Sequence, residues 1–150
     1  MYANILLSTD GSSVARKGVE HGMALAKALN AKVTVMTVTE PLPIDYGGGH
    51  DSGWIPSQDE VDSFDAACKE RANKVLADAR AVAEQIGTSA ELLHVPNAHP
   101  ATAIVETAKS RGCDLIVMAS HGRRGLRKFL LGSQTSEVLL NGSVPVLVVP

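Results

Sequence analysis

A chain of 150 residues, 45% hydrophobic and 20% charged, can bury a sizeable core, and we expect one domain over residues 1–150. The net charge of −2 at pH 7 argues against a general nucleic-acid-binding protein, which needs excess positive charge to hold phosphates. No apolar run approaches the ~20 residues of a membrane-spanning helix, and no basic leader begins at Met1, so we expect a cytoplasmic protein without a membrane partner. Cys68 and Cys113 lie in apolar patterns, which favours buried reduced thiols over a disulfide.

The first part of the chain alternates short apolar runs with helical patterns. Residues 5–7 predict a strand, and residues 9–13 form a turn with helix-capping side chains. A helix is then predicted from Val14 to Leu29, with Asn30 as its stop, and the β-branched run at residues 33–38 predicts a second strand.

A long loop is predicted from about residue 40 to residue 57, because this stretch contains three prolines and three consecutive glycines. Trp54 within it either covers a ligand or anchors local packing. Apolar residues then recur every three or four positions from Val61 to Ile86, which predicts a long amphipathic helix that Gly87 ends.

The remaining sequence continues the alternation. Residues 90–95 predict a third strand, Pro100 opens a helix that Gly112 closes, and residues 114–119 predict a fourth strand. A short helix at residues 134–140 leads to a fifth strand from Val144 to Val149. Apolar strands separated by helices predict an α/β fold with an open, five-stranded parallel sheet and helices on both faces.

Two polar segments follow the first and fourth predicted strands. Ser8-Thr-Asp-Gly11 comes after the first strand, and Ser120-His-Gly122 comes after the fourth. In open parallel sheets, ligands bind beyond the carboxyl ends of the strands, where the strand order reverses. If the two strands are neighbours, these segments face each other across one crevice.

The fourth strand leads into glycines and a Ser/Thr cluster at the start of the last helix. Backbone N–H groups at glycines and in the first turn of a helix can bind a phosphate, because they lack intrahelical partners. Gly122, Gly132, Ser133 and Thr135 are therefore candidate anion-binding residues. The alternative is that residues 122–133 are only a flexible connection.

Together these residues resemble the universal stress proteins. The resemblance rests on Asp10, on His99-Pro100, on the run at residues 114–118 and on the pattern of residues 120–133. ATP-binding members share Gly-x-x-Gly-x9-Gly-(Ser/Thr), which maps here onto Ala119, Gly122, Gly132 and Ser133, with alanine in place of the first glycine. The resemblance implies a Rossmann-like sheet of the adenine-nucleotide α-hydrolase type with strand order 3-2-1-4-5, and ATP with Mg²⁺ as ligand.

The resemblance also assigns the site residues. It implies adenosine near the ends of the first two strands and phosphates over the glycine-rich loop, with binding by Ser8, Thr9, Asp10, Val38, Ala119, His121, Gly122, Arg123, Gly132, Ser133, Gln134 and Thr135. The Ser133 and Thr135 hydroxyls can donate to phosphate. Asp10 can accept from ribose hydroxyls or help hold Mg²⁺, or it can be only a turn residue. The basic residues from Arg123 to Lys128 either contact phosphates or form a solvated patch.

Binding is favoured over catalysis. The sequence has no nucleophile–base set and no Gly-x4-Gly-Lys-(Ser/Thr) loop, and its five histidines lack metal-ligand spacing. We therefore expect an ATP-binding stress-response regulator with at most slow hydrolysis or autophosphorylation. One alternative is an adenylyl-transfer enzyme, which would need a Ser-Gly-Gly-x-Asp-Ser loop where this chain has Ser8-Thr-Asp-Gly-Ser12. Another is a nucleotide-free interaction module in which Ala119 has disabled the site.

The last predicted strand is wholly apolar apart from Pro145, and an exposed apolar edge strand invites pairing. The resemblance implies an antiparallel homodimer through the strand from Val144 to Val149. Pro145 removes one N–H group near the start of the strand and limits the length of pairing. The alternative is that the C-terminal segment packs against helices of its own chain.

Overall fold

A computed structural model describes residues 1–44, 55–122 and 131–150. Trp54, most of the predicted long loop, Arg123 and the basic residues that follow it lie outside the described residues. Strands and helices alternate in the order β1 Asn4–Ser8, α1 Ser13–Leu29, β2 Lys32–Val38, α2 Gln58–Ile86, β3 Glu91–Val95, α3 Pro100–Ser110, β4 Leu115–Ala119, α4 Ser133–Asn141 and β5 Val146–Val149.

The five strands form one sheet with the order β3-β2-β1-β4-β5, and every neighbouring pair is parallel. β1 is central and pairs with β2 on one side and with β4 on the other, so that Ile5 lies opposite both Val33 and Leu115. The predicted fold class and strand order are confirmed. The order reverses between β1 and β4, and the crevice at a reversal is where such sheets bind ligands.

The core has two layers because both faces of the sheet are covered. Ile5 and Leu7 belong to a cluster shared with α1 and α2, whereas Leu6 belongs to a cluster shared with α3 and α4. This is the alternation expected when successive side chains along β1 point to opposite faces. Cys68 and Cys113 are buried and free, as expected.

Two glycines let α1 lie close to the sheet. A Cβ atom at Gly18 would lie 3.3 Å from the backbone nitrogen of Ala119, and one at Gly22 would collide with the Leu7 side chain.

Both ends of α1 are capped: the Ser12 hydroxyl accepts the Ala15 N–H (3.2 Å), and Asn30 is left-handed with φ +53°. α1 therefore begins directly beside the carboxyl ends of β1 and β4.

The predicted ends of two elements were wrong by two or three residues. α2 begins at Gln58 rather than Val61, because Ser57 and Glu60 form a capping box ahead of the apolar pattern. β5 begins at Val146 rather than Val144. Pro145 lacks the N–H needed for the ladder, although its carbonyl accepts the Ile116 N–H (2.9 Å).

Asp114 joins β1 to β4 at the end of the sheet opposite the crevice. Its carboxylate accepts the N–H groups of Ala3 (2.8 Å) and Asn4 (3.0 Å). These hydrogen bonds, that from Ala3 foremost, hold the pKa of Asp114 below its ordinary value. Asn4 Nδ2 also donates to the Arg111 carbonyl (2.9 Å), so the start of β1 is fixed to the α3–β4 connection.

Within the described ranges, no helix is both long enough and apolar enough to cross a bilayer.

Candidate ligand-binding cleft

A cleft of about 860 Å³ opens at the carboxyl ends of β1, β2 and β4, a size typical of small-molecule sites. Of the twelve residues predicted from the sequence, only Arg123 is outside the described residues. The other eleven all line this cleft: Ser8, Thr9, Asp10, Val38, Ala119, His121, Gly122, Gly132, Ser133, Gln134 and Thr135. The two polar strand ends therefore meet across one crevice, as the sequence predicted.

Asp10 and Gly122 approach each other across the crevice. A Cβ atom at Gly122 would lie 2.5 Å from Asp10 Oδ2, so any larger residue here would have to displace the Asp10 carboxylate. The other carboxylate oxygen, Oδ1, accepts the Ser12 N–H (2.9 Å) just before α1. Asp10 is thus a turn residue that also lines the cleft.

The amino end of α4 is fixed to the end of β4. The Gly132 N–H donates to the Ser120 carbonyl (2.8 Å), and a Cβ atom at Gly132 would lie 3.1 Å from His121 Cα. Since φ at Gly132 is −58°, the backbone conformation does not require glycine, and the close approach to His121 is what favours it. The buried Thr135 hydroxyl donates to the Ala119 carbonyl (3.0 Å), so it is not the free phosphate donor that the sequence suggested.

Gln134 joins α4 to α3. Its Oε1 accepts the Ala101 N–H (2.9 Å) in the first turn of α3, where His99 provides no side-chain cap. His99 Nε2 lies 2.7 Å from Glu137 Oε2 and adds a second contact between the two helices. Within the described part of the chain, the groups that these contacts leave available to an anion are the first-turn N–H groups of α4 and the Ser133 hydroxyl.

Val38 presents backbone groups to the cleft, and the hydrogen bonds around it show why. The Thr9 N–H donates to the Met36 carbonyl on the β1 side (3.0 Å), and the Thr39 N–H donates to the Val95 carbonyl on the β3 side (3.0 Å). Successive residues of a parallel strand bond to alternate neighbours. The N–H and C=O of Val38 therefore point to the β1 side, beyond the residue at which β1 ends.

Sequence reasoning missed two walls of the cleft. One is the surface of α2 formed by Phe64, Cys68, Arg71, Ala72 and Val75, and the other is the β3–α3 connection from Asn97 to Pro100. The α2 residues follow the same spacing as core positions, so periodicity could not separate them. Asn97 offered a weak signal, because it has φ +54° and Asn is a residue type that adopts this conformation.

The described lining carries little formal charge for an anion site. Apart from histidines, its ionisable side chains are Asp10, Glu40, Arg71 and the Cys68 thiol.

A further polar contact supports the wall near β2, where Thr39 Oγ1 lies 2.8 Å from His94 Nε2. Burial, with a smaller effect of Lys69, lowers the pKa of His94, which favours the neutral imidazole. No group of three metal-ligating side chains occurs among residues 1–44, 55–122 and 131–150.

The profile of the Universal stress protein family matches residues 1–150. The chain belongs to this family. It is 32% identical over 149 residues to Universal stress protein MJ0531 of Methanocaldococcus jannaschii, covering 99% of this chain and 82% of that protein.

Solved universal stress proteins have the same fold. The structure of protein MJ0577 of Methanocaldococcus jannaschii superimposes with a TM-score of 0.74 at 27% identity, covering 99% of this chain and 96% of that one. A universal stress protein solved in complex with cAMP gives a TM-score of 0.73 at 24% identity, covering 99% and 97%.

Proposed function

We propose that this universal stress protein binds an adenine nucleotide, ATP with Mg²⁺, in the cleft between β1 and β4, and that it acts as a regulator rather than as an efficient catalyst. The observation that carries the proposal is the approach of Gly122 to the Asp10 carboxylate, beside the amino end of α4. That approach combines an acceptor for ribose hydroxyls with a backbone surface for phosphates in one crevice. The cAMP complex of a related protein is consistent with it.

The Val38 backbone matches one edge of adenine. Adenine has an N6 amino donor next to the N1 acceptor, which complement a backbone C=O and N–H respectively. The alternation of hydrogen bonds along β2 directs both of these groups of Val38 towards the cleft, which Val38 also lines. Recognition through a backbone donor–acceptor pair fits adenine and opposes guanine, whose corresponding edge has the reverse pattern.

The phosphates are assigned to the other end of the cleft, at Gly122, Gly132 and Ser133. One helix end stabilises a bound anion by only about 0.3–1 kcal/mol, whereas micromolar binding needs about 8 kcal/mol. Helix end, glycine loop and base pocket must therefore act together. Mg²⁺ would be bound mainly by the phosphates, and its protein ligand, as the alternative to a role at the ribose, would be the Asp10 carboxylate, since carboxylate oxygen suits this cation.

Ala119 is compatible with binding. Side chains alternate along β4, so Ala119 shares the face of Leu115 and Val117, which pack in the core with α1 and α2. Its methyl group is thereby directed to the α1 side, near Gly18.

The nucleotide-free alternative predicts that gently denatured protein releases no adenylate, and mass spectrometry of co-purified small molecules tests it directly. The adenylyl-transfer alternative is tested by an assay for pyrophosphate release.

We further propose a cytoplasmic homodimer through the segment from Val144 to Val149. β5 is an edge strand of the sheet, and Leu147 on it is 37% exposed. Leu140, near the end of the preceding helix, is 83% exposed. Apolar side chains beside an edge strand are the features expected of a surface that pairs with a second copy.

Gly122→Ala tests the nucleotide site. The added methyl group must displace the Asp10 carboxylate. We therefore expect the affinity for ATP to fall roughly tenfold or more, and a tenfold loss is equivalent to about 1.4 kcal/mol. ATP should raise the melting temperature of the wild-type protein and raise that of the variant much less, measured by calorimetry across an ATP titration.

The matched control is Gly112→Ala, remote from the cleft. Gly112 has φ +63° with no atom within 4 Å of an added Cβ, so this variant should lose stability without losing ATP affinity. Unchanged ATP protection in Gly122→Ala would refute the assigned site.

A further inference from the structure

The α2 wall of the cleft contains one cation. Phe64, Cys68, Arg71 and Val75 are separated by three or four residues, so they form a single stripe along the helix that faces the cleft. Cys68 and Val75 are buried, Phe64 is half-buried and Arg71 is exposed. The stripe is thus an apolar surface with a guanidinium group at its solvent edge.

Arg71 is held against this surface without an ion pair to another described residue. Its Nη2 donates to Cys68 Sγ at 3.4 Å, which directs the side chain along the stripe. A thiol is a weak acceptor, so this contact engages little of the hydrogen-bonding capacity of a guanidinium with five donors. None of the ion pairs between described residues involves Arg71.

The position of α2 determines which part of a ligand this wall meets. α2 packs against α1, β2 and β3, whereas the anion-binding groups follow β4. The stripe therefore stands over the Val38 side of the cleft, where the base is assigned. A flat, weakly hydrated guanidinium stacks well on an aromatic ring and attracts its π face.

We propose that Arg71 contacts the purine, stacking its guanidinium group on the face of the base and closing the apolar surface formed by Phe64 and Cys68. This inference rests on the proposed function and adds a base-binding residue to it. A contact with the base contributes equally to every ligand that carries adenine. A contact with phosphate contributes more as the number of phosphates rises.

The test is calorimetric titration of the wild-type protein, Arg71→Ala, Arg71→Lys and Arg80→Ala with adenosine, AMP and ATP. We expect Arg71→Ala to weaken all three ligands by the same factor, about 2- to 30-fold. Arg71→Lys keeps the positive charge but lacks the flat guanidinium group, so it should recover only part of the affinity lost in Arg71→Ala. Arg80→Ala removes the same exposed side chain from the same helix outside the cleft and should leave all three affinities unchanged.

The other possible outcomes of the titrations distinguish a phosphate contact, no contact and no nucleotide binding. A loss that is absent for adenosine, largest for ATP and reduced by salt would show a phosphate contact and overturn the proposal, as would no loss at all. Because Arg71 is exposed, melting temperatures near the wild-type value should show that the variants fold. If the wild-type protein binds none of the three ligands, the proposed function itself fails, and this inference fails with it.

Discussion

At the scale of single residues, Asp114 should make the stability of the protein sensitive to acid. Its folded pKa lies below the ordinary value of 3.8, so its contribution is complete above that value and is lost as the pH falls through the folded pKa. Asp114→Asn retains one acceptor oxygen and should lower the free energy of unfolding at pH 7 by about 1 kcal/mol.

Urea unfolding at pH 7 and at pH 3 measures this effect. The difference in stability between the variant and the wild type should shrink at the lower pH. Asp78→Asn, at an exposed position on α2, is the control and should match the wild type at both values. An equal deficit of Asp114→Asn at both pH values would contradict the role of the carboxylate charge.

Residue types predicted which positions surround the cleft, but not which of their atoms face it. Thr135 was a candidate because hydroxyls donate to phosphate, yet its hydroxyl bonds to the Ala119 carbonyl, 16 residues earlier in the chain. That partner is fixed by how α4 docks on β4, which has no local signature. Arg71 was missed for a related reason, because charged residues beside an amphipathic stripe are normally only solvated.

At the scale of elements, Gln134 connects two helices and should stabilise both. Gln134→Ala leaves the Ala101 N–H of α3 without its acceptor and should cost about 1 kcal/mol, the usual effect of losing a helix cap. Gln134→Glu keeps an acceptor and should fold with nearly wild-type stability. Its carboxylate lies at the amino end of α4, however, and should weaken ATP binding by repelling the phosphates.

Urea unfolding and ATP titration of the two Gln134 variants separate these effects. Gln58→Ala is a suitable control, because among the described residues the Gln58 side chain donates only to exposed Asp62, one turn further along α2. If Gln134→Ala were as stable as Gln58→Ala, Gln134 would have no capping role.

The existence of the elements could be predicted from the sequence, whereas some of their ends could not. Hydrophobic periodicity identifies the interior of a helix, but the capping box of Ser57 and Glu60 sets where α2 begins. Likewise, β-branched composition marked β5, and the missing N–H of Pro145 delayed its start. The ends of helices and strands depend on individual hydrogen bonds, and a periodic pattern of hydrophobic residues does not reveal these bonds.

At the scale of the whole molecule, Leu147→Asp should separate the proposed dimer. In a two-fold symmetric contact a substituted residue appears on both copies, so two carboxylates would enter one apolar interface. Light scattering should give about twice the 15.7 kDa chain mass for the wild type and a single chain mass for the variant. Ile55→Asp is the control, since Ile55 is 81% exposed elsewhere. A wild-type protein of single-chain mass would refute the dimer.

The pairing of β1 with β4 also has a consequence for how the protein is made. Ile5 emerges from the ribosome early, but its partner Leu115 follows 110 residues later. Until β4 has been made, the central strand β1 can pair only with β2. The side of the crevice that follows β4, opposite Asp10, does not yet exist. The protein must complete most of its synthesis before its crevice can form, so the nucleotide that we propose as its ligand can first stabilise the chain only near the end of translation.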